Sequence, residues 1–431
     1  MDFENRRGDN RPDFFPDVDS RFKFSVLVVG GAKRPAAKAL CGFFLRGRED
    51  VANPQKCFQL TPREFTLVNP NTGTAPIFRS KRDADLTTAI YGRVPVLVDL
   101  SSGTTKSVWP VEYSTMFHMT NDSALFWTAD RLRDDGAYPS DGNKWKKGQT
   151  EFVPLYEGKM VQAFDHRAAS VVINPDNVHR PAQPEPTTIA QHEDPSWTPM
   201  PQFWVDTKEV AAHTNLAWVL GFKEITAHTN VRTVISALLP GVAFGNKMPL
   251  LVPSSQTDQK AANTAFAPIL CANLNSIIFD FVSRQKVHGQ TLNWFLVQQL
   301  PVIDAGAYKR RIGKRVAEDI VRNHVLQLTY VAHDMAAFAR DMGYTHKSGE
   351  AKPPFKWDDE ERRHLRARLD ALYFLLYGVT NRKDVSYILD TFPIVRADDE
   401  RAFAGRYRTK ELILAYMSAL EAGDVDTVVA A

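Results

Sequence analysis

The residues best equipped for chemistry stand in one run, Asn69-Pro70-Asn71-Thr72-Gly73-Thr74-Ala75-Pro76-Ile77-Phe78-Arg79-Ser80-Lys81-Arg82, which closes on three cations within four residues. Asn, Pro and Gly favour tight turns, and Asn, Thr and Ser side chains can hydrogen-bond base edges or phosphate oxygens. Arg79, Lys81 and Arg82 add charge-assisted donors of the kind that pair with phosphate. Two further polar turns carry similar groups: His228-Thr229-Asn230-Val231-Arg232-Thr233 and Gly289-Gln290-Thr291-Leu292-Asn293. Each turn alone reads as an ordinary capped loop. Together they suit a surface that grips a duplex, where Arg reads guanine and Asn reads adenine.

A different chemistry is written in Asp141 followed sixteen residues later by Glu157-Gly158-Lys159. That spacing mimics metal-dependent nucleases, in which Asp and Glu hold Mg²⁺ and Lys positions the attacking water. The alternative is a surface turn followed by a helix start. The chain carries no Walker A, GxGxxG or GxSxG pattern, and its eleven histidines include no HExxH. His213, His228, His324 and His333 read as surface or packing residues.

The elements that must position these groups are short strands and helices. Residues 22–29 begin alternating and become continuously apolar, which predicts a strand passing from half to full burial. Thr61-Pro62-Arg63-Glu64 predicts a capped helix start. Residues 86–98 read as helix then strand, 113–119 as a strand, and 218–239 as strand–turn–strand or strand–helix. Residues 174–201 hold seven prolines and predict a long surface loop or hinge. The pattern predicts one helix over 260–287 and a strand over 294–303. Beyond Ala307 the pattern becomes helical, with candidates at 315–342, 357–377 and 401–422. In the second of these, Leu365, Leu369, Leu372 and Leu376 form an amphipathic stripe.

The chain has 431 residues, 44 % of them hydrophobic, enough to fill a sizeable core of two or three units. Its 53 basic and 50 acidic residues leave a net charge of only +3, so an anionic partner must meet local patches. Besides 79–82, such patches are Lys144-Trp145-Lys146-Lys147 and Lys309-Arg310-Arg311 with Lys314-Arg315. Cys41, Cys57 and Cys271 lack metal-type spacing and suit free thiols in a reducing compartment. No apolar run approaches a membrane span and the N-terminal residues carry no apolar signal core. The expectation is a soluble, cytoplasmic protein.

Several ordered blocks resemble a known family. They are Asp2-Phe3-Glu4-Asn5-Arg6 with 15–24, residues 69–87, Leu155-Tyr156-Glu157-Gly158-Lys159-Met160 with Phe164-Asp165-His166-Arg167, residues 225–233, Leu274-Asn275-Ser276 with 289–293 and Gln299-Leu300-Pro301, and 389–395 with 407–410. They are similar to the C-terminal half of large adenine-N6 DNA methyltransferases of type IIG restriction–modification enzymes and of BREX- and DISARM-like phage-defence systems. Residues 274–301 also resemble the end of recognition domains in type I specificity subunits.

The resemblance implies a mixed α/β chain in three parts. Residues 1–50 would be a strand remnant of a Rossmann-like methyltransferase sheet. Residues 51–303 would be a target-recognition domain with its proline-rich loop at 174–201, and 304–431 a helical tail. It implies double-stranded DNA as partner, contacted through Asn69, Asn71, Thr72, Arg79, Ser80, Lys81, Arg82, Lys159, Thr229, Asn230, Arg232 and Asn293. The family's catalytic Asn-Pro-Pro-Tyr and its Gly-containing S-adenosylmethionine motif are missing and would lie upstream of Met1. Asn69-Pro70-Asn71 is a different motif. The resemblance therefore implies a chain that does not methylate alone and works with a catalytic methyltransferase half, S-adenosylmethionine belonging to the complete enzyme. The alternatives are a Mg²⁺-dependent nuclease using Asp141, Glu157 and Lys159, or a non-enzymatic interaction protein whose helical tail packs on a partner.

Overall fold

The computed structural model describes residues 1–7, 11–20, 22–174, 176–177, 181–254, 258–287 and 289–430. Arg21 of the N-terminal blocks, and Pro175 and 178–180 of the proline-rich stretch, lie outside the described residues.

The architecture is mixed α/β, built on two small sheets and a layer of helices. In the first sheet the strand order is Ser236–Pro240, Trp218–Phe222, Leu250–Pro253, Val111–Ser114, all antiparallel. The two strands Trp218–Phe222 and Ser236–Pro240 are buried along their whole length, as apolar runs covered on both faces must be. Residues 218–239 are thus strand–turn–strand. In the second sheet Thr150–Tyr156 is flanked by Trp204–Asp206 and Lys144–Lys147, with Tyr138–Ser140 beyond. Its end also pairs in parallel with Ala243–Phe244.

The helix Gln259–Asn275 lies against the first sheet and is buried from Phe266 onward. Polar pairs fix its register: Asn263 donates to the Trp218 carbonyl at 2.9 Å, while Asn275 accepts from Ser236 N at 3.0 Å and donates to its carbonyl at 2.8 Å. The single helix expected over 260–287 is in fact two. Ser276 adopts extended backbone, and its hydroxyl accepts from Phe279 N to begin Ile277–Arg284, bent 64° from the first. A side-chain cap of this kind satisfies an N–H that continuing the helix would otherwise have bonded. The Asp370 carboxylate takes the next N–H, that of Ile277, at 2.7 Å.

The helices Ala317–Thr329, Asp359–Leu376 and Arg408–Glu421 share the largest apolar core with Gln259–Asn275 and with residues as early as Cys41. The leucine stripe faces inward: Leu365, Leu369 and Leu372 are buried and Leu376 packs against the same core. The helix expected over 315–342 stops at Thr329 and resumes only at Ala336–Asp341. Where it breaks, the Val331 carbonyl is taken by Arg167 at 3.2 Å and His333 N reaches the Pro195 carbonyl at 3.0 Å.

Two other expectations fail. In 294–303 a short helix, Trp294–Val297, replaces the expected strand, and only the end of the segment runs beside 95–97. In 22–29, only Lys23–Ser25 is a strand, paired with Asp2–Glu4. Val26 is 49 % exposed, and Leu27, Val28 and Val29 are 82 %, 90 % and 77 % exposed. An apolar run signals a need for burial but does not say what supplies it. The N-terminal strands are instead anchored by rings, Phe3 stacked on Phe24 at 5.2 Å with Phe14 edge-on to both.

The proline-rich stretch is not a hinge. Ala182–Pro186 pairs with Ala169–Ile173, and Ile189–Glu193 is a helix with a complete Thr188/Gln191 capping box. Arg167, fully buried, donates to the carbonyls of His192, Asp194 and Trp197 as well as Val331, at 2.8–3.2 Å. Removing that guanidinium would leave four carbonyls without these partners. Arg167→Met is therefore expected to lower the unfolding free energy by about 3 kcal/mol or more in urea titration. It should also release amide protection around 187–200 in hydrogen exchange; an unchanged midpoint would show the pin to be dispensable.

Lys286 is a second buried cation, donating to the carbonyls of Val68 and Gln299 at 2.7 Å each. Burial pushes its ammonium down to about 7. Between that value and an unfolded-state value of about 10.4, the unfolded chain binds more protons than the folded one. Stability contributed here should therefore rise as pH climbs from about 7 towards about 10. Wild-type stability relative to Lys286→Met should grow over that window in denaturant titrations; a pH-independent difference would contradict the assignment.

Candidate nucleic-acid interface

Residues 69–82 are held from both sides. The helix Pro62–Val68 starts at the expected Thr61/Glu64 capping box and ends at Asn69. Asn69 is buried and donates to the Thr74 carbonyl at 2.9 Å. Asn71 donates to the Val98 carbonyl at 2.9 Å, accepts from Leu100 N at 2.8 Å, and its own N–H reaches Gln299 at 3.1 Å. These two amides therefore shape the loop, and their donors and acceptors do not project from it. Thr72 is exposed, 3.0 Å from Thr74 and 3.4 Å from Gln299.

The basic end of the loop divides. Ser80 caps the helix Lys81–Tyr91 through Asp83 N and also meets Tyr387 at 3.0 Å. Lys81 pairs with Asp85 at 2.8 Å. Arg82 lies over the Tyr387 ring and pairs with Asp384 at 3.1 Å, docking the helix on the tail. Arg79 alone of the three cations turns toward other loops. It is exposed and lies 4.6 Å from the centre of the Phe44 ring, which Lys23 also approaches, at 4.2 Å. Phe44 sits at φ +57°, an uncommon conformation for an aromatic residue, held between these cations and the N-terminal strands.

The loop 226–233 closes on the same region. Thr226 donates to the Thr233 carbonyl at 2.6 Å, and the buried Asp280 carboxylate takes Thr233 N at 2.9 Å. Arg284 donates to the carbonyls of Asn230 and Val231 at 2.8 and 2.9 Å while stacking on Phe392. Thr229, Asn230 and Val231 are left exposed at the tip. Arg232 turns inward, pairing with Asp280 at 2.8 Å and donating to the Asn275 carbonyl. Burial, then the positive fields of Arg79, Lys23 and Arg284, holds the His228 imidazole below the ordinary histidine range. Groups distant in sequence thus surround one ring.

The third turn joins this loop through a bridge between Ile225 and Thr291 and the bond from Leu292 N to the Glu224 carbonyl, 2.7 Å. Asn293 is half-buried ahead of Trp294–Val297, and its side chain makes no capping bond there. Lys159 pairs with Glu157 at 3.0 Å and donates to the Ala182 carbonyl at 3.3 Å. It lines a 560 Å³ cleft with Lys223, Lys247 and Ile225. Ile225 links that cleft to the 226–233 loop, so lysines 159, 223 and 247 adjoin the cations around His228.

Asp141 is elsewhere. It lies in the turn between Tyr138–Ser140 and Lys144–Lys147 and lines a separate 670 Å³ cleft with Asn143, Pro199, His333 and Asp334. Asp141 and Glu157-Gly158-Lys159 do not share a cleft, and no group of three or more His, Cys, Asp or Glu side chains is placed to hold a metal among the described residues. The other basic patches are largely ion-paired: Lys144 and Lys146 with Glu151, Lys147 with Asp135, Lys309 with Glu318, Arg315 with Asp426.

Of the residues singled out by the sequence, Arg79, Thr229 and Asn230 are exposed on one face, while Asn69, Asn71, Ser80 and Arg232 are engaged in holding it. Lys23, Phe44, Lys223 and Lys247 complete that face and carry no motif of their own. The signal that could have pointed to Phe44 is its place between chain-distant cations, which no spacing records.

Among the described residues no single helix is long and apolar enough to cross a membrane. No protein-family model matches this chain, and no curated protein matches it.

Proposed function

We propose that this chain is the sequence-specific DNA-recognition portion of an adenine-N6 DNA methyltransferase of restriction–modification or phage defence. It binds duplex DNA in the cytoplasm and presents adenine to a catalytic half that carries Asn-Pro-Pro-Tyr and the S-adenosylmethionine motif. The observation that supports the reading most is the meeting of Lys23, Arg79, His228 and Arg284 beside the exposed Thr229–Asn230 tip. Cations that position by phosphate next to short amides that read bases is the division of labour duplex recognition requires.

The residues present do not fit the methyl-transfer centre. A flipped adenine needs an amide free to hold its amino group. The amides of Asn69 and Asn71 are bonded within the chain's own fold, to the Thr74 and Val98 carbonyls. No transfer step is derived from this chain. The exposed run Val26-Leu27-Val28-Val29 supports a partner instead: unpaired β-branched backbone continuing from Lys23–Ser25 suits addition to the edge of a sheet covered on both faces, as a methyltransferase sheet is.

Fluorescence anisotropy with labelled duplexes tests this reading. Binding should weaken steeply as salt rises. Arg79→Ala should weaken all sequences together and reduce the salt slope by about one. Asn230→Ala should relax preference at one base position by about 1–3 kcal/mol. Salt-insensitive binding, or none, would overturn it.

A further inference from the structure

Behind the 226–233 loop a recess of 310 Å³ lies between the Ile277–Arg284, Asp359–Leu376 and Pro393–Ala402 helices. Phe164, Ile277, Leu369 and Val395 supply apolar wall, and three arginines, Arg232, Arg363 and Arg366, line it together with Asp370, Asp398 and Asp399. Equal numbers of each sign suggest neutrality, but the hydrogen bonds do not balance.

The acceptors are mostly engaged. Asp399 takes Thr409 N at 2.5 Å and Arg363 at 3.3 Å; Asp398 takes Arg401 at 3.2 Å; Asp370 takes Ile277 N at 2.7 Å. The donors are not. Nε of Arg363 is buried without a hydrogen bond, and Nε of Arg232 faces Asp280 at 2.8 Å without hydrogen-bond geometry. Arg366 gives only its Nε, to the Arg362 carbonyl at 3.3 Å, leaving both terminal amino groups facing the recess. Buried arginine donors rarely go unmatched, and a planar fork with two spare N–H groups matches a tetrahedral oxyanion.

We infer that this recess binds a phosphate group, with Arg366 as its principal donor and Arg363 and Arg232 beside it. The apolar wall would pack against whatever carries the phosphate. Asp370 opposes the anion, and its surroundings limit the opposition. Burial, against the fields of Arg232 and Arg366, raises its carboxyl to about 6, and Arg232, Arg366, Arg363, Asp280, Asp398, Asp399 and Tyr407 are the charged and titratable groups around it. The phosphate could belong to a free phosphate ester or to a DNA backbone reached past Val231. The inference stands on the donor surplus and does not depend on the DNA reading.

Calorimetric titration of the full chain with inorganic phosphate and with pyrophosphate, at fixed ionic strength, tests it. Arg366→Gln should weaken binding at least about tenfold, and Asp370→Asn, which keeps an acceptor for Ile277 N, should strengthen it. Arg396→Gln, on an exposed ion pair with Glu400, should change nothing. Competition by a duplex, with DNA binding also weakened in Arg366→Gln, would identify a backbone phosphate as the source; phosphate binding without competition would identify a free ester. Both outcomes support the site. Absence of phosphate and pyrophosphate binding, or equal binding by wild type and Arg366→Gln, would overturn it. Phosphate binding by a chain that ignores DNA would sink the recognition reading alone.

Discussion

The fold depends on a buried guanidinium. Arg167 has no exposed surface, and a cation so placed costs several kcal/mol unless its hydrogen bonds are made. It makes them to carbonyls from the Ile189–Glu193 helix and its exit and from the break after Ala317–Thr329. Its neighbours in sequence do the same work in other directions. Phe164, at φ +59°, offers its carbonyl to Arg362; Asp165 meets His192 at 3.1 Å; His166 meets Asp334 at 3.0 Å. His192 then stacks on Trp357 at 3.7 Å, under the same ring contact that Arg362 makes. Four consecutive residues tie the proline-rich stretch, the helical tail and the first sheet to one point.

From that point the constraint passes to the candidate interface. Phe164 N bonds the Ser236 carbonyl, Ser236 is clamped by Asn275, and the bend at Ser276 delivers Asp280 and Arg284 under the 226–233 loop. The loop's exposed tip is thus carried by buried polar groups, which hold geometry better than apolar contact because each bond has one direction. Interface and recess share this support, since Val231 and Arg232 belong to both.

Some of this was legible in the chain. The Thr61/Glu64 box and the Leu365-to-Leu376 stripe were readable because capping and helical periodicity act within a few residues. The Trp218 and Ser236 strands were readable as buried runs. The division of 260–287 was not, since a serine that caps a new helix looks in sequence like one inside a longer helix. Nor was the exposure of 26–29, where the pattern was right for a buried strand and the burying surface belongs to no element of this chain. Of the candidate site, the sequence marked Arg79, Thr229 and Asn230 correctly as exposed, and marked Asn69, Asn71 and Arg232 by the same chemistry although they face inward. Turn-shaping and ligand-reading use identical side chains.

The sequence by itself determined the mixed α/β character, the caps, the amphipathic tail helices and the polar loops, because each rests on interactions among near neighbours. Only the tertiary structure decided which polar groups became scaffold and which remained on the surface. It brought Lys23, Arg79, His228 and Arg284 together and left Arg366 without acceptors, because those outcomes follow from long-range packing around a few buried charges. Such packing is cooperative over the whole core, and no local spacing encodes it.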